Sequence, residues 1–147
     1  MAFLRPERAF RKLIRESATM QALLNADYTV APMDAIPRNA LMPYIGYRRI
    51  SGGPEHHLTG PATSGMYMGS TEFYIFAETM DGAENIAEAL RSVLDAKARQ
   101  TVTIGSDSVI IDRLMHETED VEAFYPADGS DSMVYVITQE YSWSVRT

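Results

Sequence analysis

"MVYVITQEYSWSVR", residues 133–146, decides the fold. Met133, Tyr135, Ile137, Tyr141, Trp143 and Val145 occupy alternate positions, interrupted only by Gln139, while Thr138, Glu140, Ser142, Ser144 and Arg146 line the other face. Successive side chains of an extended chain point to opposite faces, so only a period of two explains the pattern. It predicts a long strand with one apolar and one polar face, the kind found in an antiparallel sheet that carries helices on a single side.

Working outward, "DGAENIAEALRSVLDAKA", residues 81–98, supplies such a helix. Ile86, Leu90, Val93 and Leu94 form one apolar stripe, and Asp81 with Glu84 three residues later reads as a capping box. "MYMGSTEFYIFAE", residues 66–78, predicts a strand with Thr71, Phe73, Ile75 and Ala77 on one face, and Tyr74 and Phe76 on the other. "YIGYRRIS", residues 44–51, is aromatic and β-branched enough to be another. "TVTIGSDSVIIDRLM" predicts two short strands around Gly105 to Asp107, followed by the acidic "HETEDVEAFYP" and a turn at "ADGSD".

The chain opens on an amphipathic helix from Pro6, with Phe10, Leu13 and Ile14 and then Met20, Leu23 and Leu24 at helical spacing, and Ser17 placed to cap a second segment. "DYTVAPMDAIPRNALMP", with three prolines and no sustained period, predicts an extended connection. The fold class expected is therefore α+β: a mostly antiparallel sheet packed against two main helices as a two-layer sandwich, in one domain over residues 1–147.

Composition narrows the function. Twenty acidic against 13 basic side chains leave a net charge of −7, which argues against a general phosphate-binding surface. The absence of cysteine excludes disulfides, thiolate nucleophiles and cysteine zinc sites. No apolar run reaches membrane-spanning length and the basic N-terminal stretch has no signal-peptide core, so a soluble, unexported protein is expected.

Three features carry candidate chemistry. Arg8, Arg11, Lys12 and Arg15 fall at i, i+3, i+4 and i+7 on the opening helix and make one basic stripe, either a solvated face or a docking surface for another copy. Glu117, Glu119, Asp120 and Glu122 make an acidic strand, with Asp120 and Glu122 sharing a face. Side-by-side carboxylates on one strand do not face each other across a cleft as glycosidase chemistry requires, so a solvated edge strand is the better expectation. "ISGGPEHHLTGPATSG", residues 50–65, puts His56 beside His57 in a glycine- and proline-rich loop. Adjacent imidazoles on extended backbone diverge, the third histidine, His116, is distant, and no metal, phosphate or nucleophile-elbow motif is present. No catalytic residue, metal or cofactor is expected. The alternative is a small α+β ligand-binding module or hydrolase using His56, His57 or His116.

"LMPYIGYRRISGGPEHHLTGP", the helix "AENIAEALRSVLD" and the ending "DRLMHETEDVEAFYP" with "VYVITQEYSWSVR" resemble, in this order along nearly the whole chain, the small tail completion proteins of long-tailed bacteriophages. These are the tail terminators or head-to-tail joining proteins. Leu41 to Pro61 is the most specific part, particularly Pro43, Tyr44, Ile50 to Ser51 and His56 to Gly60. The resemblance implies a ring-forming, commonly hexameric subunit of the virion that caps the tail tube and joins it to the head connector or stopper. It implies no enzyme activity, partners limited to itself, the tube protein and the connector, and DNA passing through the lumen without specific binding. It also makes Glu55, His56, His57 and Leu58 an interaction loop. A closed ring needs two different complementary patches per subunit, and the basic stripe and the acidic strand are candidates of opposite sign.

Overall fold

A computed structural model of the chain describes residues 6–24, 30–37, 40–54, 66–95, 99–125 and 132–146. The described residues form helices α1 (Pro6–Glu16), α2 (Ala18–Leu23) and α3 (Met80–Leu94) and strands β1 (Val30–Pro32), β2 (Tyr44–Pro54), β3 (Met66–Ala77), β4 (Gln100–Ile104), β5 (Asp107–Phe124) and β6 (Val134–Arg146). The result is a mixed α+β fold in which strand dominates. The six strands run in the order β1-β2-β3-β6-β5-β4. The β1–β2 pair is parallel and the rest are antiparallel.

β6 lies at the centre of this sheet, and its alternation is the reason. Ile137, Gln139, Tyr141, Trp143 and Val145 all lie buried beneath the helices. Their neighbours across β3 are Ile75, Phe73, Thr71, Gly69 and Tyr67. Of these, Thr71, Phe73 and Ile75 are buried, as is Ala77 further along β3. The Phe73 ring meets Tyr141 edge-on at 5.6 Å. Trp143 packs against Phe10 of α1 at 6.4 Å. Burying an indole of ~200 Å² contributes on the order of 5 kcal/mol before chain entropy is subtracted. Gly69 and Gly52 make room for it: a Cβ on Gly69 would lie 2.7 Å from Trp143 Cζ2 and 2.7 Å from Gly52 Cα.

Gln139, which breaks the apolar series, stays on the core face because strand periodicity leaves it nowhere else to point. Its amide donates to Ala87 O (3.0 Å) and to Glu119 Oε1 (2.6 Å), and its carbonyl accepts from Tyr141 Oη at 2.8 Å. The buried amide is thereby satisfied.

Three expectations need correction. The cap of α3 is Thr79, not Asp81: Thr79 is extended and its hydroxyl accepts from Gly82 N at 3.0 Å. Asp81 instead lies in the first turn, where its charge faces the positive end of the helix. The two short strands around Gly105 are a short β4 and an 18-residue β5 that runs through the acidic segment. Gly105, at φ +63°, takes the left-handed turn between them. The proline-rich connection is extended but contributes Val30–Pro32 to the sheet, pairing with Ile45–Tyr47. The turn expected at 127–131 lies outside the described residues. No helix among the described residues is long and apolar enough to cross a membrane.

Candidate functional site

The basic stripe of α1 borders a groove. Phe10 and Ile14 turn into the core, which leaves Arg8, Arg11, Lys12 and Arg15 on the outer side of the helix. They line a cavity of about 790 Å³ together with Ala31 and Pro32 of β1, Ala35, Tyr47 of β2 and Ile104 of β4. Two of the four cations donate to backbone carbonyls. Arg11 Nε donates to Val30 O at 2.6 Å, and Lys12 Nζ donates to Thr103 O. The helix is thereby tied to both outer strands of the sheet. Lys12 also lies 3.7 Å from Glu16. Tyr47 is nearly buried in the groove wall, and burial pushes its phenol up while the Arg11 guanidinium nearby pulls the other way.

A second, adjoining hollow of about 480 Å³ shares Arg8, Pro32 and Tyr47 with the first and ends on Glu7 and Arg49. Glu7 is only 7% exposed. Its carboxylate accepts from Arg49 Nε at 2.6 Å and Arg49 Nη2 at 2.7 Å, and from Thr71 Oγ1 at 3.2 Å. Thr71 in turn accepts from Trp143 Nε1 at 3.0 Å, and the Arg49 guanidinium lies 5.3 Å from the Trp143 ring. The hydrogen bonds that Arg49 donates to Glu7 raise the pKa of its guanidinium above the ordinary value. A two-pronged carboxylate–guanidinium pair of this kind fixes orientation as well as energy. It pins the first turn of α1, and with it one end of the groove, to β2, β3 and β6.

The acidic residues do not form one patch. Irregularities in the β5–β6 register at Ile111/Arg113 and His116/Thr118 reset which side each residue faces. Glu119 lies opposite Gln139 on the helix-covered side and is engaged by Arg91 of α3. Asp120 and Glu122 lie opposite Thr138 and Val136, on the other side. Glu117 accepts from Ser142 Oγ at 2.6 Å. β4 pairs only with Asp107–Ile111, so residues 112–124 of β5 continue beyond it. Among the described residues no strand pairs with the far side of that stretch, as in the solvated edge strand expected from the charges. At its far end Phe124 and Tyr125 (62% exposed) stand in solvent, and Val121 (51% exposed), opposite Ile137, is exposed on the side away from the two acids.

Glu55, His56, His57 and Leu58 lie outside the described residues, in the stretch joining β2 to β3. β2 ends and β3 begins at the end of the sheet where Met66 pairs with Arg146 and Arg146 with Ile110. The acidic tip of β5 is at the opposite end, level with Val134–Val136. His116 is placed by a bond from its backbone N–H to Asp95 Oδ1 (2.9 Å) and by edge-on contact with Tyr141 at 5.4 Å. Its Nε2 lies 3.9 Å from Glu119 Oε1. Among the described residues no three histidine or carboxylate side chains group as metal ligands.

Neither Glu7 nor Arg49 is among the residues that the sequence singles out. The apolar wall of the groove, Ala31, Pro32, Ala35, Tyr47 and Ile104, is missed as well. One signal was available for Glu7: it falls one residue after Pro6 and three before Phe10, on the inward side of the stripe that Phe10 and Ile14 define.

No protein-family model matches this chain, and no curated protein matches it. Solved structures do: the chain is similar, with a TM-score of 0.66 and 14% identity over 96% of its own length and 94% of the other's, to a chain of the virion of a native gene transfer agent particle.

Proposed function

We propose that this chain is a structural protein of a phage-like particle, a single domain over residues 1–147 that ends tail-tube growth and joins the tail to the head connector. In this reading its two-layer subunits close a homo-oligomeric ring, hexameric as in the tail completion proteins it resembles. Its partners are further copies, the tube protein and a connector or stopper. DNA crosses the lumen without specific contacts, aided by the net charge of −7.

The observation that carries the proposal is the shared fold with a virion chain across almost all of both molecules. The sequence resemblance points the same way from different residues. A closed ring repeats one heterologous interface, so each subunit must offer two unlike surfaces. The basic groove on the helix side and the acidic tip of β5 are two such surfaces. Glu55, His56, His57 and Leu58 are assigned to contacts with the tube or connector. The test is electron microscopy of particles produced without this chain. Tails of unregulated length, and heads without tails, are expected; normally proportioned, joined particles would refute the function.

A further inference from the structure

We infer that the groove beside α1 is the receptor for the tip of β5 of a neighbouring copy, residues Asp120 to Tyr125. This inference rests on the ring-forming reading above and specifies its interface. The groove has two kinds of wall. One is the cationic flank of α1, where Arg8 and Arg15 are separated by seven residues, or about 10 Å along a helix axis. The other is apolar, made by Pro32, Tyr47 and Ile104 among others. The tip presents the complement of both: Asp120 and Glu122, about 7 Å apart on one side of an extended chain, followed by the exposed Phe124 and Tyr125.

Two further observations favour a peptide of this chain over other polyanions. Arg11 and Lys12 are committed to the carbonyls of Val30 and Thr103, which makes them fixed walls rather than mobile phosphate-seeking cations. The tip also extends beyond β4, so its far side has no strand of its own chain beside it among the described residues. Tip and groove belong to different regions of the molecule: the groove adjoins Glu7, Arg49 and β1, whereas the tip lies past Arg91 at the far end of β5. They are therefore suited to meet between copies, as a heterologous contact requires.

The cysteine-free chain allows a direct proximity test. Full-length V121C and A35C proteins, mixed at low salt and oxidised, are expected to yield the mixed disulfide between positions 121 and 35 in at least tenfold excess over either self-disulfide. The charge reversal R8E/R15E should reduce that product tenfold, and D120K/E122K in the partner should restore it. Because the rescue compares folded partners, loss through misfolding is distinguished from loss of charge pairing. A statistical mixture of disulfides, or no rescue, would overturn the inference. So would tight binding of a labelled DNA duplex that R8E/R15E abolishes, since the groove would then serve nucleic acid. A failed cross-link alongside unjoined particles in the deletion would sink this interface alone. A selective cross-link alongside normal particles would sink the function and leave the interface standing.

Discussion

Replacing Glu7 with glutamine should loosen the whole α1 side of the molecule. The change preserves volume but removes one of two charge-assisted bonds to Arg49, at 2.6 and 2.7 Å, and weakens the other. Hydrogen bonds to charged groups contribute about 1.5–3 kcal/mol each, so the gross loss is about 3 kcal/mol. Arg49 keeps 35% of its side chain in contact with solvent and recovers hydration, which offsets roughly 1 kcal/mol. The expected net destabilisation is about 2 kcal/mol, or a fall of about 4–8 °C in Tm for a chain of this size. The assay is built in: Trp143 is the sole tryptophan, and its indole N–H donates to Thr71, which itself bonds Glu7. Urea melts followed by Trp fluorescence and by far-UV circular dichroism should therefore shift together, and native emission should change before unfolding. A double-mutant cycle with R49M should give a coupling of at least about 1 kcal/mol. Additive effects, or an unchanged midpoint, would refute the claim that this pair anchors the helix.

Other consequences follow from the core and the sheet. Gly69→Ala should destabilise by at least about 2 kcal/mol in urea melts, because its Cβ would enter space held by Trp143, Gly52 and Ser51 O. Gln139→Leu leaves the buried Tyr141 hydroxyl without its acceptor and frees Glu119 from one donor, for a loss of about 2 kcal/mol. A neutral result there would mean that the polar cluster under α3 is dispensable. Burial, with help from the bond to Glu72, pushes the Tyr74 phenol up from 10.0 to about 12. A proton held more tightly in the folded state stabilises fully below pH 10 and progressively less as pH rises towards 12. Wild-type stability should fall across that window, and Tyr74→Phe should flatten the fall; identical pH profiles would contradict the assignment.

What was legible in the sequence was whatever a local period reports. The alternation of β6, the stripe of α3 and the Ser17 cap of α2 each depend on neighbours within a turn or two. The Ser17 hydroxyl accepts from Met20 N as its position suggests. What escaped depends on partners that no period reveals. Arg11 and Lys12 find carbonyls 19 and 91 residues away, and Glu7 finds a guanidinium 42 residues on. The acidic run reads as one patch because sequence alternation carries no record of a bulge. The irregularity at His116/Thr118 sets Glu117, which accepts from Ser142, apart from Glu119, which lies opposite Gln139, where an unbroken alternation would put both on one side. Thr79 and Asp81 are both acceptable caps by composition, and backbone geometry at Thr79 decides between them.

In the proposed role this chain acts as repeated subunits around a hollow axis at one place in a particle. Cryo-electron microscopy of particles carrying a small C-terminal tag on this chain tests it most directly. A single closed ring of tagged copies is expected at the junction of tail tube and head, with residues 120–125 of each copy against α1 of the next. Tag density spread along the tube, or absent from purified particles, would contradict it.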